Sequence, residues 1–293
     1  MKIIDGKQIS AQIKEELKTE VEIIKQQGKR VPHLAVIIVG QNPASQVYVN
    51  NKIKSCQEIG FESTHIHLQE EISQEQLLLE VDKLNKNQTL DGFIVQLPLP
   101  KHIDEQKIIE AIDPSKDVDG FTPINIGKMA IGIEDAFIPA TPMGIMELLK
   151  RYKIQTEGKN IVVLGRSNIV GRPISILLSQ KRYPGNATVT VCHSKTPNLT
   201  QICQQADILI AAIGSPLFVK KEMIKQGAVV IDVGTTRIAD TQSKSGYRIA
   251  GDVDFENVKE QCSYITPVPG GVGPMTIASL LLNTMKAYKM KIK

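Results

Sequence analysis

Uninterrupted apolar runs that alternate with amphipathic segments limit how this chain can fold more than any other feature. The run Leu34-Ala-Val-Ile-Ile-Val39 contains no polar residue, and Ile161-Val-Val-Leu164 repeats the pattern in the second half. A strand that is apolar on both faces has to be covered on both faces, as happens in parallel sheets with helices on each side. The alternation therefore predicts an α/β fold built on parallel sheets.

The first half of the chain predicts one domain of this kind. Apolar residues at helical spacing begin the chain and predict a helix that ends near Gly28. Ser45 and Ser73 stand where N-caps of two later helices are expected. The predicted strands span residues 34–39, 62–68 and 91–95, and a short helix at 104–112 precedes a loop at 113–123. This β-α-β-α-β order predicts a parallel, three-layer domain.

The second half predicts another three-layer domain, of the doubly wound Rossmann type that binds NAD(P). Thr141 is the expected N-cap, and Pro142 the first residue, of a helix that connects the halves. The predicted strands that follow span residues 160–164, 187–191, 207–212, 228–233 and 264–266, and predicted helices span 254–260 and 275–288. We expect domains at 1–140 and 141–274, an interdomain cleft, and segment 275–293 packed back on the first domain.

Composition excludes several classes of protein. The 293 residues are 42% apolar and 23% charged, and the net charge of +4 is spread along the chain without a basic block. We therefore expect no nucleic acid and no membrane partner, and neither a spanning segment nor a signal peptide is predicted. The four cysteines and five histidines lack metal-ligand spacing. They predict buried thiols in a reducing cytoplasm and no metal site.

A glycine-rich turn follows the apolar run that ends at Leu164. Gly165 and Gly171 are six residues apart, and the amphipathic run after them predicts the start of a helix. A helix N-terminus offers unpaired N–H groups and the positive end of a dipole, which suits a phosphate. Taken alone, the turn fits either a dinucleotide site or an ordinary βα connection. The doubly wound order of the second half favours the dinucleotide site.

The residues after the second strand of that domain bear on the choice of cofactor. An acidic residue there selects NAD, whereas basic or hydroxyl residues accommodate the 2′-phosphate of NADP. Here the sequence continues as Cys192-His-Ser194-Lys-Thr196, without Asp or Glu. Arg166 in the glycine turn adds a guanidinium suited to a phosphate. The pattern favours NADP over NAD, although a polar strand end and a surface arginine would look the same.

Several polar residues of the first half are candidates for chemistry. Tyr48 and Lys52 are four residues apart on a predicted helix and share a face, as a lysine stem packed beside a tyrosine also would. Gln96 follows a buried strand at its carboxyl end, where open α/β sheets bind ligands. Asp117 and Asp119 lie in a predicted loop, where acids are usually just solvated. None of these residues is decisive alone.

In combination, the motifs resemble the bifunctional methylenetetrahydrofolate dehydrogenase/methenyltetrahydrofolate cyclohydrolase family, over essentially the whole chain. The segments that carry the resemblance are Pro43-Ala-Ser-Gln-Val-Tyr48-Val-Asn-Asn-Lys52, Asp91-Gly-Phe-Ile-Val-Gln96-Leu-Pro-Leu-Pro100, Lys116-Asp-Val-Asp119-Gly-Phe121, Gly165-Arg-Ser-Asn-Ile-Val-Gly171-Arg-Pro173 and Pro267-Val-Pro-Gly-Gly-Val-Gly-Pro-Met-Thr276. The resemblance implies NADP-dependent oxidation of 5,10-methylenetetrahydrofolate to 5,10-methenyltetrahydrofolate, followed by hydrolysis to 10-formyltetrahydrofolate.

The resemblance also implies roles for individual residues. Lys52 would be the central catalytic residue, with Tyr48 against the folate ring, Gln96 bonded near the lysine and Asp119 on the pterin. The implied substrate-binding residues are Tyr48, Lys52, Gln96, Leu97, Asp119, Pro269, Gly270 and Gly273. The implied NADP-binding residues are Gly165, Arg166, Ser167, Ser194 and Thr235. Many bacterial members of the family carry isoleucine at the position of Thr235, so the contact there is expected to differ.

The implied chemistry sets a physical requirement on Lys52. Hydride transfer depends mainly on alignment of the two reactants, whereas the hydrolysis needs a group that accepts and later donates a proton. A lysine does both only when its pKa falls toward neutrality, and a desolvated site beside a substrate cation favours that fall. We therefore predict a buried, partly deprotonated Lys52.

The resemblance implies tetrahydrofolate derivatives as partners, a homodimer formed through the cofactor domains, and a cytoplasmic enzyme of one-carbon metabolism that supplies purine biosynthesis. Two alternatives stay open at this point. One is an NADP-dependent dehydrogenase of another small substrate, of the shikimate or amino-acid kind. The other is a non-catalytic nucleotide-binding protein, for which a lesion at Lys52 or Asp119 would be expected, and both residues are present.

Overall fold

The computed structural model describes residues 1–243 and 246–292, apart from the side chain of Ala44. These residues form two compact units. The three-strand unit comprises Ala11–Ala140 and Ile277–Lys293, and the six-strand unit comprises Met1–Ser10 and Thr141–Thr276. Lys293, the last residue of the predicted segment 275–293, lies outside the described residues.

Helices and strands alternate along the described chain. The α-helices are α1 Gly6–Gln26, α2 Pro43–Ile59, α3 Gln74–Lys86, α4 Glu105–Ala111, α5 Pro123–Ala130, α6 Ala140–Arg151, α7 Gly171–Ser179, α8 Leu199–Gln204, α9 Phe255–Val258 and α10 Val272–Lys291. The strands are β1 Lys2–Ile3, β2 His33–Val39, β3 Glu62–Leu68, β4 Gly92–Val95, β5 Asn160–Leu164, β6 Thr188–Cys192, β7 Ile208–Ala211, β8 Val229–Asp232, β9 Thr236–Ala239, β10 Tyr247–Ala250 and β11 Tyr264–Ile265. Short 3-10 helices span Lys221–Met223 and Lys259–Gln261.

The three-strand unit contains a parallel sheet with the strand order β3-β2-β4. The central strand β2 is buried along its whole length, as its unbroken apolar sequence predicted. Val36 of β2 pairs with His65 of β3 on one side and with Ile94 of β4 on the other. Ser73 caps α3 in a capping box with Gln76, which confirms the predicted N-cap. The predicted β-α-β-α-β domain is therefore confirmed.

The six-strand unit contains a second parallel sheet, with the strand order β1-β11-β8-β7-β5-β6. The apolar strand β5 lies between β7 and β6, so the chain winds away from it in both directions. Buried side chains from β5, β7 and β8, among them Val162, Leu209 and Val230, form the core with residues of the flanking segments. The predicted α/β class, with a second, doubly wound domain, is confirmed.

Short elements depart from the predictions. Strand β1 was not predicted; it pairs with β11, and this pairing groups Met1–Ser10 with the six-strand unit rather than with predicted domain 1–140. Helix α5 and the antiparallel hairpin of β9 and β10 were not predicted either. Each of these elements is at most eight residues long, and so short a segment gives little periodicity.

Two predicted N-caps are wrong. Helix α2 begins at Pro43, and the Asn42 side chain accepts the Ser45 N–H at 3.2 Å, so Ser45 lies inside the first turn. Helix α6 begins at Ala140, which places Thr141 inside that helix. Ser and Thr are common both at caps and in first turns, so the chain alone does not distinguish the positions.

All four cysteines are free and buried, as predicted. Within the described residues, no helix combines the length and the apolar character that crossing a lipid bilayer requires.

Candidate functional site

The glycine turn after β5 is held in shape by close backbone packing. Gly165 has a φ of +113°, which L side chains rarely adopt, and a Cβ at this position would overlap the carbonyl oxygen of Ala212. A Cβ at Gly171 would overlap the carbonyl oxygen of Gly165. Both positions therefore require glycine, and the turn lies against the end of β7.

Helix α7 begins at Gly171, directly after this turn. The Ser167 hydroxyl accepts the N–H groups of Val170 at 3.2 Å and of Gly171 at 3.4 Å, which orders the turn. Arg166 and Ser167 are exposed at the same end of the helix. The arrangement offers a helix N-terminus, a hydroxyl and a guanidinium to an anionic ligand.

The end of β6 lies beside the glycine turn. Leu164 of β5 pairs with Cys192 of β6, so Arg166 and Ser194 each come two residues after paired positions. The turn that follows β6 is closed by the His193 N–H, which donates to Thr196 Oγ1 at 2.9 Å. Ser194 is exposed at this turn. Arg166 and Ser194 therefore follow adjacent strands at the same edge of the sheet.

Thr235 lies at the same carboxyl-end edge of the sheet, after strand β8. Strand β8 ends at Asp232, and its partner β7 pairs in turn with β5. Thr235 is exposed three residues after the strand. The five residues implied to bind NADP thus all lie after carboxyl ends of parallel strands in the six-strand unit, where open α/β sheets bind ligands.

The three-strand unit contains the predicted lysine site. The side chain of Lys52 on α2 is only 5% exposed. Its Nζ donates a hydrogen bond to Gln96 Oε1 at 3.0 Å and lies 4.6 Å from the centroid of the Tyr48 ring. The three residues are brought together by α2 and by the end of β4, which confirms that Tyr48 and Lys52 share a helix face.

Burial lowers the pKa of Lys52, because desolvation disfavours the ammonium form. The nearby carboxyl of Asp119 and thiol of Cys56 act in the opposite direction without reversing the shift. The structure therefore supplies the lowered lysine pKa that the sequence analysis predicted.

Gln96 is oriented by its own neighbourhood. Its N–H donates to the Ile37 carbonyl at 2.8 Å, which continues the pairing of β4 with β2 by one residue. Its side-chain Nε2 donates to the Leu97 carbonyl at 2.7 Å, so Oε1 is the atom turned to Lys52. A neutral amide can hold the amine in place without adding a charge that would raise the lysine pKa.

The two loop aspartates differ in role. Asp117 is buried, and its carboxylate accepts the N–H groups of Gly120 at 2.9 Å and Thr122 at 2.8 Å, and the Asn125 amide at 2.9 Å. Asp117 therefore shapes the loop. Asp119 is half-buried, and no hydrogen bond to its carboxylate is found among the described residues. Burial raises the pKa of Asp119, while Lys52 acts to lower it.

The remaining substrate-binding candidates lie in the six-strand unit, after β11. Gly270 has a φ of +109°, and its carbonyl accepts the Lys7 N–H at 3.0 Å. Pro269 and Gly273 are exposed. The structure thus brings Tyr48, Lys52, Gln96, Leu97 and Asp119 into one unit and places the glycine-rich stretch in the other.

Sequence analysis missed Cys56 as a neighbour of the lysine, although the four-residue spacing on α2 is the relevant signal. Burial raises the pKa of this thiol to about 12, so the thiol stays protonated.

Among the described residues, no group of three His, Cys, Asp or Glu side chains is arranged to hold a metal ion.

Two family models match the chain. The model for the tetrahydrofolate dehydrogenase/cyclohydrolase catalytic domain matches residues 4–119. The model for the tetrahydrofolate dehydrogenase/cyclohydrolase NAD(P)-binding domain matches residues 139–292.

Individual relatives match over nearly their full length. The bifunctional protein FolD of Flavobacterium johnsoniae is 59% identical over 291 residues, which are 99% of this chain and 98% of that protein. The crystal structure of the bifunctional FolD methylenetetrahydrofolate dehydrogenase/cyclohydrolase from Campylobacter jejuni is similar, with a TM-score of 0.93, 50% identity and 99% coverage of both chains. The Trypanosoma brucei enzyme, complexed with NADP cofactor and an inhibitor, has a TM-score of 0.93 and 41% identity, with 99% of this chain and 98% of that chain covered.

Proposed function

The chain belongs to the tetrahydrofolate dehydrogenase/cyclohydrolase family, and on that premise we propose how its own residues perform the two reactions. The protein is a bifunctional enzyme that oxidises 5,10-methylenetetrahydrofolate with NADP+ and hydrolyses the methenyl product to 10-formyltetrahydrofolate. The observation that carries the residue assignment is the buried Lys52 amine, bonded to Gln96 beside the Tyr48 ring.

Lys52 is the proton-transfer group of the hydrolysis. Water that attacks the methenyl carbon must lose a proton, and the ring nitrogen that leaves must gain one. The lowered pKa of Lys52 supports this role, since a neutral amine accepts the first proton and the resulting ammonium donates the second. Gln96 positions the amine through the 3.0 Å hydrogen bond.

Tyr48 is proposed to bind the folate ring. Its aromatic face lies 4.6 Å from the amine, so a ring system bound against Tyr48 would have its reactive carbon near Lys52. Hydride transfer to the nicotinamide leaves a delocalised cation, and it therefore depends on alignment more than on a strong base.

Asp119 is proposed to bind the pterin. A carboxylate oxygen accepts hydrogen bonds from amide and amino N–H groups, which a pterin presents along one edge. Asp119 is half-buried, and none of the described residues donates a hydrogen bond to its carboxylate. Both features support this role. Leu97, Pro269, Gly270 and Gly273 are proposed as further contacts to the folate.

The cofactor is NADP, and the residues of the six-strand unit fit it. Glycine at positions 165 and 171 lets the turn pack closely on Ala212 and on its own backbone. The helix N-terminus that this packing places after the turn is proposed to bind the diphosphate. We assign the 2′-phosphate to Arg166 and Ser194, which follow adjacent strands, and a further contact to Thr235. Ser167 orders the turn and is proposed to touch the cofactor.

The domain roles follow from these assignments. The three-strand unit is proposed to bind folate and to contain the proton-transfer lysine, and the six-strand unit to bind NADP. An NADP-dependent dehydrogenase of another substrate, or a non-catalytic nucleotide-binding protein, is disfavoured because both family models match.

Absorbance assays test this function. Purified protein should form 5,10-methenyltetrahydrofolate from the methylene substrate and NADP+, and should then consume it without cofactor. NADP+ and NAD+ are compared at matched concentrations; equal or better use of NAD+ would contradict the assignment of Arg166 and Ser194. Shikimate supplied with NADP+ serves as the control for the alternative dehydrogenase and should give no reduction.

A cytoplasmic homodimer that contributes to purine biosynthesis is proposed as well. Strand β6 forms an edge of the six-stranded sheet, and Val191 on it is 39% exposed, as expected for a surface that a second copy covers. Analytical sedimentation should give a molar mass twice that of the chain, and the Val191→Lys variant should have a lower sedimenting mass than wild type. A wild-type monomer at micromolar concentration would contradict the dimer.

A further inference from the structure

Two buried carboxylates lie at the ligand-binding edge of the six-strand unit. Asp232 is the last residue of β8 and is 3% exposed, and Asp252, two residues after β10, is fully buried. No lysine or arginine is recorded as a hydrogen-bonding or ion-pairing partner of either carboxylate in the described chain. Buried charges are unfavourable unless they are hydrogen-bonded, so the partners of these two groups indicate what they do.

Asp232 connects the end of β8 to the segment after β10. Its carboxylate accepts the N–H groups of Gly234 at 2.9 Å, Asp252 at 2.8 Å and Val253 at 3.0 Å. Its own N–H donates to Thr266 Oγ1 at 2.7 Å. These bonds fix the position of the Asp252 backbone relative to β8.

Asp252 connects that point to the end of β7. One carboxylate oxygen, Oδ2, accepts the N–H groups of Ile213 at 2.7 Å and Gly214 at 3.0 Å, which lie two and three residues after the end of β7. The other oxygen, Oδ1, is buried and has no hydrogen-bond partner among the described residues. It lies against Gly234, where a Cβ would overlap the Asp252 main chain and carboxylate.

The turns that Asp252 contacts follow the strands over which a doubly wound sheet binds the nicotinamide half of a dinucleotide. In a doubly wound sheet, the diphosphate lies at the first βα turn, here after β5, and the adenosine half extends over one neighbouring strand. The proposed 2′-phosphate site follows β6, so the nicotinamide half extends over β7 and β8. The turn after β7 also packs on the glycine turn, because Gly165 lies against Ala212.

We propose that Asp252 is a positioning residue for the nicotinamide half of NADP. Its carboxylate holds the turn Ile213–Gly214 and the turn at Gly234 in one arrangement, and the cofactor binds to these turns rather than to Asp252. This inference rests on the proposed NADP-binding function of the six-strand unit. Sequence analysis missed the residue because an aspartate after a strand carries no signal of its partners.

Asp252→Ala and Asp252→Asn test the proposal. Alanine leaves the Ile213 and Gly214 N–H groups without an acceptor, whereas asparagine keeps one acceptor oxygen in a side chain of the same shape. We expect Asp252→Ala to weaken NADPH binding about tenfold or more and Asp252→Asn to stay within about threefold. NADPH affinity is measured by the fluorescence of the cofactor, since the chain contains no tryptophan.

Hydrolysis of 5,10-methenyltetrahydrofolate provides the internal control, because it needs no cofactor and its proposed proton-transfer residue lies in the three-strand unit. Both variants should retain it. Asp254→Asn is the matched control, since that carboxylate lies two residues away, pairs with Lys220 at 3.0 Å and is expected to leave NADPH binding unchanged.

Two results would overturn the proposal. Wild-type NADPH affinity in Asp252→Ala would show that the turns need no anchor, and equal defects in Ala and Asn variants would show that charge rather than hydrogen bonding matters. If Asp252→Ala also loses the hydrolysis, a second variant, Gly234→Ala, tests the proposal. Its added Cβ displaces the turn at Gly234 while the Asp252 carboxylate remains. Normal NADPH binding by Gly234→Ala would contradict the positioning role of this turn. Wild-type protein that binds no NADPH would instead refute the proposed function.

Discussion

Replacement of Lys52 by methionine separates the proposed catalytic role of the amine from its effect on stability. Methionine keeps the length and most of the volume of the side chain but removes the proton-transfer group. General acid–base catalysis by one side chain contributes about 10²–10⁴-fold, or about 3–5 kcal/mol of transition-state stabilisation. We therefore expect hydrolysis of 5,10-methenyltetrahydrofolate to fall by at least about 100-fold in Lys52→Met, with NADPH binding nearly unchanged.

The same change should not destabilise the fold. The hydrogen bond to Gln96 and the contact with the Tyr48 ring favour the ammonium, each by about 1 kcal/mol. Burial nevertheless lowers the pKa of Lys52, which means that the folded protein as a whole disfavours the charge. Removing the charge should then leave the free energy of unfolding equal to that of wild type within about 1 kcal/mol, or raise it.

The sign of the pH dependence follows from this lowered pKa. Between the folded and unfolded pKa values of Lys52, the unfolded chain binds more protons, so wild-type stability rises with pH in that range. The advantage of Lys52→Met over wild type should be largest below the folded pKa and should shrink as pH rises toward the ordinary value of 10.5.

Two measurements check these expectations: single-turnover hydrolysis by absorbance, and urea unfolding at several pH values. Lys14→Met is the matched control, since Lys14 also lies in the three-strand unit and donates to Ser55 at 2.7 Å and to Glu58 at 3.2 Å, but has no proposed catalytic role. It should hydrolyse normally. Normal hydrolysis by Lys52→Met would refute the proton-transfer role, and a loss of several kcal/mol of stability would refute the argument from burial.

Four further changes test other parts of the structure. Asp119→Ala should weaken folate binding about tenfold and leave the free energy of unfolding unchanged; equal folate affinity in this variant and wild type would contradict the pterin contact. Asp117→Ala should instead lower the free energy of unfolding by about 2–4 kcal/mol, because buried N–H donors lose their acceptor. Arg166→Ala should raise the KM for NADP+ about 10–100-fold and leave that for NAD+ nearly unchanged, as steady-state kinetics will show. Burial raises the pKa of Asp232 from 3.8 to about 6. Between these two pH values the native state therefore keeps a proton on this carboxyl that the unfolded chain has lost. Wild-type stability relative to Asp232→Asn should therefore fall as pH rises from about 4 to 6, and an increase measured by urea unfolding would reverse the sign.

Local chemistry determined the parts of the fold that the sequence predicted well. Strands β2 and β5 were predictable because they have no polar face, so only a position covered on both sides suits them. Ser73 was predictable as a cap because both partners of a capping box lie within four residues. The turn at Gly165 was predictable from an apolar run that stops at a glycine, and the family motifs supplied the prediction that Lys52, Gln96 and Asp119 are site residues.

Tertiary structure alone decided the features that depend on distant partners. Strand β1 exists because it pairs with β11, more than 250 residues away, and nothing in its two residues indicates that partner. Asp117 and Asp119 are two acids in one loop, and only the folded backbone separates the acceptor of several buried donors from the carboxyl near the lysine. The lowered pKa of Lys52 likewise comes from burial, and the anchoring by Asp252 comes from two strand ends brought together by the sheet. The sequence determined which residues have suitable chemistry, whereas only the structure determined their solvent exposure and their neighbours, because both depend on contacts between distant segments.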